Sequence, residues 1–343
     1  MIETRPATAA ARGGAGGGAI RVTALRKTFH AQGRDVEALR GVDLAVAPGQ
    51  IYGFLGPNGA GKTTTLRILT TLVTADAGTA LVAGIDVRRH PAEVRRRIGY
   101  VGQLGGADLE ATGRENLVLQ GRLYGMGREE TSHRADELIE LLDLGPFSPR
   151  IVRTYSGGQR RRLEVALGIM HRPEVLFLDE PTLGLDPQNR ANLWEQLRGL
   201  RDTGTSILLT THYLDEADQL SDRLAIIDHG RVVAEGTPEE LKRRHPTGVT
   251  ITPRPGGAEP VALAAELRRD PLVSEVRVED GAIRVHVSEA TAGLAALFER
   301  LRARGVDVLR VSLEEPSLDD VFLDATGRSL REAGDTQSGE AAA

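Results

Sequence analysis

From residue 19 to about residue 245, short apolar runs alternate with longer segments whose apolar positions recur at helical spacing, which predicts strands separated by helices. Arg21–Phe29 and Val36–Val46 read as strands on either side of the polar His30–Asp35, and a Pro48-Gly49 turn leads into a wholly apolar run, Ile51–Leu55. Further on, the pattern predicts a helix over Thr64–Val73, a strand over Thr79–Val82, a short arginine-rich helix over Pro91–Arg97 and a strand over Ile98–Val101. Thr112-Gly113-Arg114-Glu115 has the form of a capping box opening a helix to about Tyr124, and Glu129–Leu142 reads as a second helix, so a helical insertion follows the first half of the sheet. Ser156 with Gln159 three residues on opens a helix through Met170. The buried-strand run Val175–Leu178, the helix from Asp186-Pro187 to about Arg201, the strand Ser206–Leu209, a hairpin of Arg223–Ile227 with Arg231–Ala234, and a capped helix from Thr237 to near Arg244 complete this region.

At His245-Pro246 the composition shifts. Beyond it the order is strand Val249–Thr252, helix Val261–Arg269, strand Val273–Val278, an Asp280-Gly281 turn, strand Ile283–Val287, helix Ala290–Arg304 and strand Val306–Val311. That β-α-β-β-α-β order predicts a small ferredoxin-like α+β domain. A last short helix is expected over Ser317–Ala325. The whole therefore reads as an α/β nucleotide-binding domain over residues 19–245 and a C-terminal regulatory or coupling domain over 246–327, with disordered tails at 1–18 and 328–343.

Composition narrows the classes. A chain of 343 residues with 40% hydrophobic residues can build two cores. Its formal charge of −5 and 3% aromatic content argue against a basic, base-stacking surface, so no nucleic acid is expected as partner. With no cysteine there are no disulfides, thiolate metal sites or cysteine nucleophiles, which is compatible with a reducing cytoplasm. No apolar run approaches the ~20 residues that span a bilayer, so a membrane span, if one is needed, is expected from a partner.

The chemistry centres on Gly56-Pro57-Asn58-Gly59-Ala60-Gly61-Lys62-Thr63, between the apolar run and the helix that starts at Thr64. This is G-x-x-x-x-G-K-T in the strand-to-helix context of a P-loop NTPase. Its glycines let successive N–H groups turn inward and hold phosphate oxygens at a helix N-terminus, with Lys62 reaching the β/γ-phosphates and the Thr63 hydroxyl offered to Mg²⁺. Lys62 is one of three lysines against forty arginines, as expected where a compact ammonium is needed inside a closed loop. Asp179 and Glu180 end a wholly apolar strand, at the carboxyl edge where ligands of such sheets sit. Asp179 is placed for Mg²⁺ and Glu180 for polarising a water that attacks the γ-phosphate. The N-terminus at Ser156, Gly157, Gly158 and Gln159 is either a second anion-receptive helix end or a plain cap. His212, at the end of another strand, either hydrogen-bonds the γ-phosphate or is structural. Phe29 either stacks on an adenine or simply ends its strand, and Gln103 draws its interest only from its position after Ile98–Val101.

Taken in order, these motifs resemble the nucleotide-binding subunits of ATP-binding-cassette transporters, and residues 19–245 carry the likeness. Ser156–Gln159 is similar to the family's signature, although Tyr155 precedes it where leucine is commonest. Val175–Glu180 is similar to the Walker B strand, Leu183-Gly184-Leu185-Asp186 to the D-loop, Gln103 to the Q-loop glutamine, His212 to the switch histidine, and Phe29 to the adenine-stacking aromatic. Glu314-Glu315-Pro316-Ser317-Leu318-Asp319-Asp320-Val321-Phe322 looks like the tail of the daunorubicin-resistance type. The resemblance implies ATP and Mg²⁺ as ligands. It assigns Glu180, His212, Gln103 and Asp186 to catalysis, Thr63, Gln103 and Asp179 to the metal, and Phe29 with residues 56–64 and 156–159 to the nucleotide. It also implies a nucleotide-sandwich dimer, each ATP lying between one chain's phosphate loop and the other's signature. A separate permease would hold the subunit at the cytoplasmic face of the membrane and carry a hydrophobic drug or antibiotic outward.

Three other readings compete. A soluble cassette ATPase acting on ribosomes or nucleic acid would usually show two cassettes, a coiled-coil insertion or a basic surface. A phosphate-loop GTPase would usually carry Asn-Lys-x-Asp, and none of the three lysines follows an asparagine. A catalytically dead scaffold would not need the pair Asp179 and Glu180.

Overall fold

The computed structural model describes residues 18–31, 34–243, 245, 247–254, 260–268, 273–279, 282–287, 297–299, 301–303, 308–314 and 316–327. The two expected tails, Gly18 apart, the Asp280-Gly281 turn and most of the expected helix Ala290–Arg304 lie outside these residues; 297–299 and 301–303 are helical. The chain forms two compact units, residues 1–50 with 63–208 and residues 51–62 with 209–343.

In the first unit, strands Arg34–Val46, Ile20–Ala31, Ala77–Val82 and Ile85–Asp86 form an antiparallel sheet in that order. Strands Ile98–Val101 and Val175–Asp179 pair in parallel, Ile98 opposite Val175. Strand Ser206–Thr211 begins where the Ser206 amide donates to the Glu174 carbonyl and the Ile207 amide to that of Gln50. Val175–Asp179 and Ser206–Thr211 are buried at every residue. That is why their sequences run apolar without alternation, and why polar function appears only at their ends. The helical insertion consists of Gly113–Leu123 and Arg128–Leu141. Thr112 and Glu115 close a capping box on the first helix, each binding the other's backbone amide, as their spacing predicted.

Helix Gly157–Gly168 lies against strand Ile98–Val101 at a contact only glycine allows. A Cβ on Gly99 would stand 2.1 Å from the Gly168 carbonyl oxygen, and one on Gly168 would stand 2.8 Å from Val101 Cγ2. At Gly99 the obstacle is backbone and cannot swing away.

In the second unit, strand Ile51–Leu55 runs parallel to Arg223–Asp228, which forms a hairpin with Arg231–Gly236. The C-terminal sheet has the order Val273–Glu279, Ala282–Val287, Thr247–Pro253, Val308–Glu314, with every neighbouring pair antiparallel. This is the strand order that the β-α-β-β-α-β pattern implies. Among the described residues its core includes Val249, Ile251, Leu263, Leu267, Ile283, Val285 and Leu301. The last helix, Leu318–Thr326, packs elsewhere: Leu318, Val321 and Phe322 share a cluster with Leu55, Ala217, Leu224, Ile226 and Leu241.

Three local differences from the sequence pattern have physical causes. The helix after the phosphate loop ends at Leu69 rather than Val73, because the Thr70 hydroxyl binds the Leu66 carbonyl and Thr71 turns left-handed at φ 66°. The strand starting at Ser206 continues through Thr211, since Thr210 and Thr211 are β-branched and buried. Leu214–Leu220 is a helix that the apolar pattern did not single out, its seven residues carrying apolar positions only at 214, 217 and 220 among three acids.

The Gly99–Gly168 contact yields a stability prediction. Gly99→Ala should cost about 1–3 kcal/mol through overpacking, seen as a lower urea midpoint with an unchanged slope. A midpoint equal to the parent's would show that the helix and strand are not in this close contact.

Candidate functional site

The phosphate loop leaves the end of a completely buried strand, and the Gly56 amide donates to the Thr211 carbonyl at 3.2 Å. A side chain at Gly56 would place its Cβ 2.3 Å from the Ile227 carbonyl oxygen, so glycine is required here by close approach. At Gly59 and Gly61 it is required by conformation, with φ of 74° and 112°. The Ala60 amide donates to Pro57 O, and the Gly230 amide donates to Ala60 O at 2.9 Å, fixing the loop against the turn between Asp228 and Arg231. Lys62 is 4% exposed and curls back across the loop, donating to Gly56 O at 2.6 Å and Pro57 O at 3.0 Å. Asn58 and Gly59 are exposed, and Thr63 and Thr64 are half-buried.

Thr63 joins the loop to the acidic strand end. Its hydroxyl donates to Asp179 Oδ1 at 3.1 Å, with Asp179 itself 2% exposed. Two hard oxygens side by side at the start of a phosphate-binding helix are the donor type that Mg²⁺ takes. Glu180 follows at 8% exposure with φ of 48°, a left-handed conformation rare for a side-chain-bearing residue. The Leu183 amide returns to the Glu180 carbonyl, so the chain reverses at the carboxylate. Backbone strain of this kind costs on the order of 1–3 kcal/mol and is held by surrounding structure.

Gln103 is exposed, in the wall of a cavity of about 560 Å³ that Asp179, Tyr100, Arg67, Gln120, Tyr124 and Glu164 also line. Burial, reinforced by the charge of Asp179, pushes the Tyr100 hydroxyl above its usual pKa. His212 is half-buried directly after Thr211, its ring tilted against that of Tyr213 at 4.2 Å. Phe29 is 38% exposed on strand Ile20–Ala31, with the Lys27 ammonium 5.4 Å from its ring centre.

At the second helix end, the Ser156 hydroxyl accepts from the Gln159 amide while Gln159 Oε1 accepts from the Ser156 amide. The cap is thus formed within the chain. Ser156 and Gly157 remain exposed, and space around Gly157 is open. Gly158 is buried against the helix that begins at Pro187, where a Cβ would meet the Asn189 amide group at 2.6 Å. Asn189 is in turn held by Asp186, whose carboxylate accepts its backbone and side-chain N–H groups. Those bonds hold the Asp186 carboxyl below the usual carboxylate range, the backbone one contributing most.

Sequence reasoning did not single out Arg161. It is 7% exposed and reaches three carbonyls, Gly102 O at 2.7 Å, Pro181 O at 2.8 Å and Asp179 O at 3.0 Å, besides Glu164 Oε2 at 3.1 Å. One guanidinium therefore ties the helix after Ser156 to the strand end before Gln103 and to the turn around Glu180. Three successive arginines, 160 to 162, hid which one faces inward; the signal was helical phase, since Arg161 lies three residues after the buried Gly158 and four before the buried Val165.

Two family descriptions match the chain. Residues 39–183 match the family described as ABC transporter, and residues 236–326 match the family described as ATP-binding protein DrrA1-3-like, C-terminal domain. The chain is 45% identical over 337 residues to the daunorubicin resistance ATP-binding protein DrrA2 of Streptomyces coeruleorubidus, covering 95% of this chain and 99% of that one. It is 45% identical over 326 residues to the daunorubicin/doxorubicin resistance ATP-binding protein DrrA of Streptomyces peucetius, covering 93% and 97%. Among solved structures it is similar to a dimeric ATP-binding cassette in a post-hydrolysis state bound to ADP and Pi, with TM-score 0.59 and 25% identity over 64% of this chain and 98% of that one.

Arg161 provides the prediction of this site. Arg161→Met keeps the length of the side chain but leaves the Glu164 carboxylate and the carbonyls of Gly102, Asp179 and Pro181 without their donor. Breaking such a buried pair costs about 3–5 kcal/mol, so the urea midpoint should fall markedly and turnover with it. An unaltered midpoint would show that Arg161 does not bear this network.

Proposed function

The chain belongs to the ATP-binding subunits of ABC transporters, in the group of the daunorubicin-resistance proteins; from that premise we propose the roles of its residues, its metal and its cargo. It is an ATP-hydrolysing transport subunit that works as a dimer with a separate permease. Among the described residues no helix is long and apolar enough to cross a membrane. We infer that the permease holds it at the cytoplasmic face of the membrane and that the cargo is a hydrophobic drug or antibiotic, as the names of the similar resistance proteins suggest.

The observation that carries the site reading is the hydrogen bond from Thr63 to Asp179, which joins the phosphate loop to the acidic strand end. The amides of Asn58, Gly59, Gly61, Lys62 and Thr63 and the Lys62 ammonium bind the phosphates, helped by the positive end of the helix from Lys62 to Leu69. Phe29 stacks on the adenine. Thr63 and Asp179, with Gln103, would hold Mg²⁺, which when bound neutralises phosphate charge. Glu180 takes the proton of the attacking water, and His212 hydrogen-bonds the γ-phosphate. Across the dimer, Ser156 to Gln159 of one chain meet the γ-phosphate held by the other, while Asp186 and Asn189 support that helix end from behind. A permease segment docks at the cavity beside Gln103, where Leu104 and Tyr124 expose apolar surface. Residues 246–327 modulate this cycle.

Action on a ribosome or nucleic acid finds no counterpart in the C-terminal region, whose match is to a domain of the drug-resistance proteins.

The test is Glu180→Gln. It should bind MgATP like the parent but hydrolyse it slower by about 10²–10⁴, the usual weight of a general base. Turnover within a few-fold of the parent would remove Glu180 from that role.

A further inference from the structure

Helix Leu318–Thr326 is built to stay where it is. Ser317 and Asp320 close a capping box at its start, and Gly327, at φ 78°, ends it with its amide on the Leu323 carbonyl at 2.7 Å. Its apolar face is covered: Phe322 is 0%, Leu318 2% and Val321 4% exposed. They pack in one cluster with Leu55, Ala217, Leu224, Ile226 and Leu241, and with the partly buried Leu214 and Ala234.

Three residues of that packing lie next to the nucleotide chemistry. Leu55 immediately precedes Gly56 of the phosphate loop. Leu214 and Ala217 lie on the helix Leu214–Leu220, which begins two residues after His212 and touches the last helix. The loop has other anchors, in the bonds from Gly56 to Thr211 and from Gly230 to Ala60. The turn that carries His212 shares the Gly56–Thr211 bond, is closed by the Tyr213 amide on the Thr211 hydroxyl at 2.9 Å, and runs straight into the short helix. Seven residues make about two turns and are not stable by themselves.

We propose that Phe322 is a positioning residue for ATP hydrolysis: it fills the space behind Leu214–Leu220 and so holds His212 at the phosphate edge. The same contact gives the C-terminal sheet a route to the site. Strand Val308–Glu314 is followed after three residues by this helix, and Leu241, on the helix before strand Thr247–Pro253, sits in the same cluster. The C-terminal domain is therefore joined at both of its ends to the packing that places His212. This inference rests on the ATPase reading above.

A double-mutant cycle on the full chain tests it, with kcat expressed per nucleotide-binding site so that an unfolded fraction does not count. Phe322→Ala should lower kcat by about tenfold with KM for ATP changed by less than about threefold, the pattern of a lost transition-state interaction. Phe322→Leu should restore most of it. In a His212→Ala chain, Phe322→Ala should have almost no further effect, because both changes remove the same contribution. Full additivity of the two substitutions would overturn the proposal. If Phe322→Ala does not fold, hydrogen exchange of the unmodified chain decides, measured with and without a non-hydrolysable MgATP analogue at concentrations below dimerisation. Linkage requires that a nucleotide felt through His212 also slow exchange in residues 318–326, by about fivefold for a coupling of ordinary size. Slowing in residues 56–63 alone would overturn the role of Phe322 and leave ATP binding standing. Slowing in neither segment would overturn the ATP-binding reading, and this one with it.

Discussion

A carboxylate at the end of a strand with no exposed residue must find a partner, and Asp179 finds it in the hydroxyl of Thr63. Much of the site follows from this one bond. Thr63 is the last residue of the phosphate loop and the second of the helix that follows, so the bond fixes the helix N-terminus at the edge where Asp179 and Glu180 emerge. Burial matters as much as contact, because charges withdrawn from water act on phosphate through a lower effective dielectric. The strand can be this apolar only because its polar groups are confined to its end.

Behind that edge, rigidity comes from close approaches that exclude side chains and from one cation that replaces several weaker contacts. Gly99 against Gly168 brings the helix after Ser156 onto strand Ile98–Val101. Arg161 then clamps that helix to Gly102, Asp179 and Pro181. Movement of the helix cannot leave the turn around Glu180 or the start of the segment bearing Gln103 undisturbed. Gly158 against Asn189, and Asn189 against Asp186, extend the connection to the next helix. Two motifs that the sequence presents as separate are, within one chain, a single packed element.

Most of this was legible before the structure. The phosphate loop, the acidic strand end and the cap at Ser156 announce themselves, because glycine spacing, a run without alternation and a Ser-x-x-Gln pattern each have one strong physical cause. The strand order of the C-terminal sheet also followed from its element order. Long-range packing did not. Nothing local separates Arg161 from Arg160 and Arg162 except helical phase, and Leu214–Leu220 is too short and too acidic to stand out. That Phe322 belongs with Leu55 and Ala217 rather than with the strands preceding it in the chain is a tertiary fact, invisible to periodicity.

The central claim is that one chain offers two half-sites, a phosphate loop and a capped helix end, which serve the same nucleotide only when they come from different chains. Mixing two crippled subunits tests it directly. Lys62→Ala removes the phosphate grip but leaves Ser156 to Gln159 intact for a neighbour. Ser156→Arg binds nucleotide but places a bulky cation at the helix end. Each alone should be nearly inactive. Mixed, they form a heterodimer with one wholly intact composite site, and ATP-driven dimerisation with partial hydrolysis should return. Full-rate hydrolysis by the unmodified chain at dilutions where it is entirely monomeric would contradict the account.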